Sequence, residues 1–187
     1  MFRKAISRSF FWLVIFGAVV LTVRNIPDPF QKAVSAYRNG DYVTALTQWH
    51  KLAQNGDVAA QYNLGALYAS GRGANASYDM AHEWFLRAAD SGNAAAQYEV
   101  AQDFEFGRGV AMSMPAALEW LRKSAHQGFV PAQIDLGLKY LNGTGVEKNQ
   151  AVALSWFTRA TGPDRMPPVI YGTDAAMAVT GKPCVDC

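Results

Sequence analysis

The residues best placed for chemistry in this sequence lie between Glu99 and Phe106. Glu99, Gln102 and Asp103 have the spacing i, i+3, i+4, and Phe106 follows at i+7, so all four share one face if the segment is helical. Such a face is an exposed acidic patch with an aromatic ring beside it, which suits a basic or amphipathic peptide. The alternative is an ordinary solvated helix face with Phe106 packed into the core.

Other residue types that support catalysis or metal binding occur without the necessary spacing. His50, His82 and His126 share no helical register, and no H-E-x-x-H motif is present. The Gly-Arg-Gly triplets at 71–73 and 107–109 lack the third glycine of a dinucleotide-binding loop, so they are interpreted as turns that end helices, with solvated arginines. We therefore predict no catalytic residue, no metal site, no cofactor and no small-molecule substrate.

Two cysteines, Cys184 and Cys187, form a C-x-x-C motif. Redox motifs with this spacing usually open a helix, which lowers the thiol pKa, and no helix follows the motif in this sequence. In an oxidising compartment the two are predicted to form a local disulfide; a disulfide to a partner and a thiol-redox role are the alternatives. The other residues include no cysteine, so neither a disulfide-stapled core nor a cysteine zinc site is predicted.

The composition favours a folded, nearly neutral domain. Of the 187 residues, 50% are hydrophobic and 17% are charged, which is enough apolar surface for a substantial core. The formal net charge is +2, and Arg3, Lys4 and Arg8 supply three positive charges within the first ten residues. Without a strongly basic face, the chain is not expected to bind nucleic acid.

The first 25 residues have the pattern of a membrane-targeting segment. Residues 1–9 are basic without an acidic residue, and residues 10–23 form an apolar run of 14 residues. No small-x-small cleavage pattern follows, so we predict an uncleaved signal anchor at 1–25; a cleaved signal peptide is the alternative. Residues 26–29 contain two prolines and are predicted to be a stiff, non-helical linker.

This segment also predicts a location. The basic flank places the N-terminus in the cytoplasm, so the rest of the chain would lie in the periplasm of a Gram-negative bacterium, held by a single pass through the inner membrane. Cleavage would instead give a soluble periplasmic or secreted protein.

A period of 36 residues runs through the rest of the sequence. Glycine, alanine-glutamine, tryptophan and basic residues each recur at this spacing, and a fixed period of this length is typical of a helical repeat protein. The clearest sets are Gly71, Gly107 and Gly143; Ala60-Gln61, Ala96-Gln97 and Ala132-Gln133; Trp84, Trp120 and Trp156; and Arg87, Lys123 and Arg159.

Each period reads as two helices that end at glycines. In residues 58–70 the apolar side chains recur at helical spacing, and Gly71 follows. A second apolar helix face is predicted near residues 78–91, and Gly92 ends it. Neither helix can bury its apolar face alone, so successive pairs must stack, with aromatics such as Trp120 buried between units.

The pattern A-Q-x-x-L-G-x-L-Y-x-x-G-x-G, followed by A-x-x-W-F-x-x-A-A-x-x-G, resembles Sel1-like repeats, which are related to the tetratricopeptide repeat. Matching units are predicted at 57–92, 93–128 and 129–163, after a degenerate unit at 30–56 and before a C-terminal tail at 164–187. The resemblance implies an all-α solenoid of antiparallel helix pairs that winds as a right-handed superhelix. It also implies an adaptor that binds other proteins, often in bacterial envelopes.

In such a stack the first helices line the concave face, where a partner would bind. The side chains of those helices that the core does not need are therefore the predicted partner-binding residues: Asn63, Glu99, Gln102, Asp103, Phe106 and Asp135. The leading interpretation is a non-catalytic, membrane-tethered scaffold that binds envelope proteins. The alternatives are an envelope enzyme or carbohydrate-processing factor that uses the groove, and a thiol-redox helper that acts through the C-x-x-C motif.

Overall fold

The computed structural model describes residues 28–162, and these form α-helices joined by short turns, without a strand. The predicted signal anchor and the C-terminal tail with Cys184 and Cys187 lie outside the described residues. The helices are α1 (Pro29–Arg38), α2 (Tyr42–Gln54), α3 (Val58–Ser70), α4 (Tyr78–Asp90), α5 (Ala94–Phe106), α6 (Met114–His126), α7 (Val130–Asn142) and α8 (Gln150–Thr161).

Extensive packing occurs between consecutive helices, from α1 with α2 through to α7 with α8. This serial order confirms the predicted all-α stack of helix pairs. Within residues 28–162, no helix combines the length and apolar character that a bilayer crossing requires. Helix α1 begins at Pro29, which was predicted to belong to the linker; proline is tolerated in a first helical turn, and the Asp28 carboxylate accepts from the Phe30 N–H at 3.2 Å.

The first helix of each full repeat ends at the glycine that the sequence predicted. Gly71, Gly107 and Gly143 follow α3, α5 and α7 in the left-handed conformation and allow the chain to leave the helix. Side-chain oxygens cap most helix starts by accepting a backbone N–H two or three residues ahead, which satisfies a donor that the helix itself leaves free. These capping residues are Asp28, Asp41, Asp57, Ser77, Asn93, Ser113 and Asn149.

The recurring glutamine joins one repeat to the next. The amide nitrogens of Gln61, Gln97 and Gln133 donate to the carbonyls of the alanines eight residues earlier, at 3.3, 3.1 and 3.1 Å. All three side chains are buried. Each of these carbonyls also accepts the N–H of the glycine three residues later, so the glutamine is a second donor that ties the end of one helix to the start of the next.

Small residues in the first helices make room for large ones in the second. A Cβ atom on Gly65 would lie 2.6 Å from Phe85, and a Cβ atom on Gly137 would lie 2.6 Å from Phe157. In the middle repeat both positions change together. Ala101 replaces the glycine, and Leu121 replaces the phenylalanine opposite it. The combined volume of each pair is thereby roughly conserved, as close packing requires.

Close backbone contact also fixes how the repeats stack. Gly109 has a positive φ of 68°, and a Cβ atom there would lie 2.2 Å from the Tyr78 carbonyl oxygen at the start of α4. Gly73 makes the equivalent approach to Tyr42 at the start of α2. Only glycine fits both the backbone conformation and the space at these two turns.

The tryptophan column is buried less evenly than predicted. Trp84 and Trp156 are 4% and 7% exposed, whereas Trp120 is half-buried and contacts two apolar clusters. A basic residue three positions later lies over each indole ring, so the two recurring columns form a cation–π pair in every repeat. The pairs are Arg87 with Trp84, Lys123 with Trp120, and Arg159 with Trp156.

Candidate functional site: the face of the first helices

Helices α1, α3, α5 and α7 are the first helices of their pairs, and we call their shared surface the first-helix face. Three depressions of about 310, 290 and 380 Å³ lie between neighbouring first helices and are named for them: the α1–α3, α3–α5 and α5–α7 grooves. Five of the six predicted partner-binding residues line these grooves. They are Asn63 in the first, Glu99 in the second, and Gln102, Phe106 and Asp135 in the third.

The prediction that Asp103 is exposed on this face is wrong. Its side chain is buried, and its Oδ2 atom accepts a hydrogen bond from His82 Nδ1 of α4 at 3.0 Å. The Nε atom of Arg108 lies 3.2 Å from the other carboxylate oxygen. Asp103 takes the repeat position of the buried Leu67, so it points toward α4 and is enclosed there.

Phe106 is exposed, with 59% of its surface accessible. The alternative that Phe106 packs into the core is therefore wrong. It lies at the rim of the α5–α7 groove, and Leu138 on α7 is 39% exposed at the same groove. Two apolar side chains thus border a polar depression.

The α5–α7 groove is built by hydrogen bonds that cross from one repeat to the next. Tyr98 Oη and Gln102 Nε2 both donate to Asp135 Oδ2, at 2.9 and 3.0 Å. Lys139, which is buried, donates to both carboxylate oxygens of Glu105 at 2.7 Å. These bonds hold the polar side chains of α5 and α7 in fixed positions, so the groove is preorganised.

Two groups on this surface have raised pKa values. Burial, followed by the hydrogen bond to Asp135 and the charges of the neighbouring carboxylates, raises the pKa of Tyr98. Burial also raises the pKa of Glu99; Arg108 opposes this shift, and Asp103 adds to it. In both cases burial of the group itself is the largest cause, and neighbouring carboxylates add to the rise in pKa.

The guanidinium group of Arg108 lies in the α3–α5 groove. Arg108 follows α5, and its Nη2 atom lies 3.8 Å from Glu99 Oε2, while its Cζ atom lies 5.9 Å from the Phe106 ring centroid. The expectation of a solvated arginine is therefore wrong for Arg108. Arg72 is exposed, as expected, and it also donates to Tyr37 Oη at 2.6 Å.

Aromatic side chains surround the α1–α3 groove. Phe30 and Tyr37 lie beside Trp49, with ring centroids 6.4 and 5.6 Å away, and Asn63 contributes an amide. The Trp49 indole nitrogen is buried and has no acceptor among the described residues. This groove is the most apolar part of the first-helix face.

The sequence analysis missed His82, Lys139 and Tyr98. His82 was set aside because it shares no register with another histidine, but its partner is a carboxylate on the next helix. The sequence did contain a signal for these contacts. Asp103 and Lys139 occupy the repeat position of Leu67, so charged residues stand where the first repeat has an apolar one. Within residues 28–162 no hydroxyl or thiol is hydrogen-bonded to His82, and no three metal-ligating side chains come together.

Comparison with known proteins gives a consistent result. The Sel1 repeat family matches residues 58–93, 94–129 and 130–161. A Sel1 repeat protein from Oxalobacter formigenes is 32% identical over 71% of this chain and 54% of its own, with a TM-score of 0.67. A protective antigen of uropathogenic Escherichia coli strains, which displays an SLR fold, is 31% identical over 71% of this chain and 29% of its own, with a TM-score of 0.66.

No curated protein matches the chain. The described repeats extend over about half of the Oxalobacter structure and less than a third of the Escherichia coli structure.

Proposed function

Because the chain belongs to the Sel1 repeat family, whose members are generally protein-interaction scaffolds, we propose that it is a non-catalytic scaffold tethered to the bacterial inner membrane. Its first-helix face, the concave face of the stack, binds segments of other envelope proteins. The observation that carries this proposal is the row of three grooves along that face, with exposed Phe106 and Leu138 beside fixed carboxylates. Exposed aromatic anchors with a polar surround are typical of binding surfaces.

The tether is supported by the sequence alone. A basic segment followed by 14 apolar residues, with no cleavage pattern, favours an anchor whose N-terminus is cytoplasmic. At most about five residues separate Val23 from the start of α1, a span of roughly 17 Å in extended chain. The scaffold would therefore bind its partners close to the periplasmic membrane surface.

Crosslinking of the full-length chain in membranes, followed by pull-down and mass spectrometry, tests both parts of the proposal. We expect the same partner proteins to be recovered in independent preparations, together with peptides from residues 1–23 of the chain. Replacing Phe106 with serine should reduce recovery, while Met112, which is 73% exposed against 59% for Phe106, is changed to serine as the control. A chain that recovers no protein above background, or that turns over a substrate, would contradict the scaffold; loss of residues 1–23 would contradict the anchor.

The C-x-x-C motif favours a second candidate function, a thiol-redox role. A Cys184→Ser, Cys187→Ser double variant separates the two functions. If the scaffold proposal is correct, partner recovery is unchanged in that variant. Loss of function with intact helical structure would instead assign the function to the thiols.

A further inference from the structure

The residue at one repeat position distinguishes the α5–α7 groove from the other two. Residues 72, 108 and 144 are equivalent in the three repeats, and they are Arg72, Arg108 and Thr144. The first arginine bonds to Tyr37 at the α1–α3 groove, and the second lies in the α3–α5 groove. The α5–α7 groove has a threonine at this position instead.

The α3–α5 groove shows how a guanidinium group fits this surface. Arg108 lies between the carboxylates of Glu99 and Asp103, 3.8 and 3.2 Å away, and close to the ring of Phe106. Two carboxylates beside an aromatic ring suit arginine, because its planar guanidinium group can pair with the carboxylates and stack on the ring at the same time.

The α5–α7 groove retains the equivalent carboxylate. Asp135 takes the repeat position of Glu99 and is held by Tyr98 and Gln102, both neutral donors. Among the described residues, no lysine or arginine nitrogen lies within 4.0 Å of it. Glu105 is paired with Lys139, so two carboxylates and one ammonium leave this groove with a formal charge of −1.

We propose that the α5–α7 groove binds an arginine side chain of a partner protein, with the guanidinium group beside Asp135 and the aliphatic part against Phe106 and Leu138. This assignment rests on the proposed scaffold function. Charge complementarity selects a cation, and the exposed apolar side chains favour arginine over the more strongly hydrated lysine.

A capped peptide with one arginine between leucines, and a matched peptide with citrulline, form the direct test. Citrulline keeps the shape of the side chain and removes its charge. With the full-length chain in detergent, we expect the citrulline peptide to bind at least about 10-fold more weakly, since charge-assisted hydrogen bonds are roughly twice as strong as neutral ones. Equal binding of the two peptides, or no measurable binding of the arginine peptide, would overturn the proposal.

Two variants locate the site. Asp135→Asn keeps the acceptor for Tyr98 but removes the charge, and we expect about 10-fold weaker binding of the arginine peptide with no change for citrulline. Thr144→Arg should place the chain's own guanidinium in the groove and abolish binding, because Gly143 and Gly145 repeat the positive φ values of the turn at Arg108. Glu147→Gln adds the same charge at an exposed residue of the same turn and should leave binding unchanged.

The failure of this proposal is distinguishable from failure of the scaffold function. If wild-type chain and the Thr144→Arg variant recover the same partners equally from membranes, the arginine assignment is wrong and the scaffold stands. If neither recovers a partner, the scaffold itself fails. Self-association of the chain that the arginine peptide reverses would assign the groove to a second copy and overturn binding of a different partner protein.

Discussion

The buried pair of His82 and Asp103 offers a test of how the repeats are held together. At the equivalent interface one repeat earlier, the same two positions are Leu46 and Leu67, which belong to one apolar cluster. The middle interface therefore contains a polar pair where its neighbour contains two leucines. Replacing both residues with leucine should convert the middle interface into a copy of the earlier one.

The single variants should each be costly. His82→Leu leaves the 97%-buried Asp103 carboxylate with Arg108 alone, and removing a hydrogen-bond donor from a buried carboxylate costs about 3 kcal/mol. Asp103→Leu leaves the imidazole nitrogen without an acceptor, which costs about 2 kcal/mol. The double variant buries two apolar side chains and leaves Arg108 with Glu99 as its remaining carboxylate partner, so it should unfold within about 1 kcal/mol of the wild type. The expected coupling is then at least about 4 kcal/mol.

Urea unfolding of the four proteins, followed by circular dichroism, measures this cycle. Because a solenoid can open locally, hydrogen exchange of the α4 and α5 amides should accompany it and should show the loss of protection centred on that interface. A double variant destabilised by the sum of the two single losses would refute the reasoning. It would mean that the interface needs the polar pair for a reason other than filling the space between the helices.

Three further variants probe the repeat architecture. Gly65→Ala should destabilise by roughly 1–2 kcal/mol in urea unfolding, since crowding against Phe85 outweighs the gain in helix propensity, and Phe85→Leu should restore part of this loss. Gln97→Leu should cost about 1 kcal/mol by the same measurement, because the bonds to the Ala89 carbonyl and from the Gln127 amide are lost, while the Gly92 N–H still donates to that carbonyl. Glu99→Gln should raise the melting temperature at neutral pH, and this gain should vanish below about pH 4.

The sign of the last prediction follows from the raised pKa of Glu99. Burial, the largest cause, makes this carboxyl hold its proton more tightly in the folded state than in the unfolded state. Its contribution to stability therefore falls as pH rises through the interval between the two pKa values. Glutamine removes that penalty at neutral pH and has no advantage when the carboxyl is protonated in both states. A melting temperature lowered at neutral pH would contradict the assignment of burial as the main cause.

The sequence predicts the fold well because the same packing residues recur in every repeat. The glycines that end helices, the alanine-glutamine pair and the tryptophan column recur in one register, and the structure gives each of them a defined contact. It predicts the site less well. Helical spacing does not show that Glu99 lines one groove while Gln102 and Phe106 line the next, or that α4 covers Asp103 with an imidazole.

The missed contacts share a physical cause. Tyr98 and Asp135 are 37 residues apart, and Lys139 and Glu105 are 34 apart, so these bonds join equivalent helices of successive repeats. The spacing within one helix contains no information about them. Comparison of neighbouring first helices one period apart would have indicated the pairs, since stacking brings nearly equivalent positions together.

The architecture and the binding chemistry of this chain use different repeat positions. Alanine, glycine and glutamine recur where helices approach closely or where a carbonyl accepts a side-chain donor, and the change from glycine to Ala101 is matched by Leu121 on the facing helix. The positions of Leu67 and Arg72 accept other residues in later repeats, because their side chains contact the adjoining helix or groove without setting the distance between backbones. In the third repeat, Thr144 takes the position of Arg72 and Arg108. This change leaves the stack intact and leaves the Asp135 carboxylate accessible to a cation from another protein.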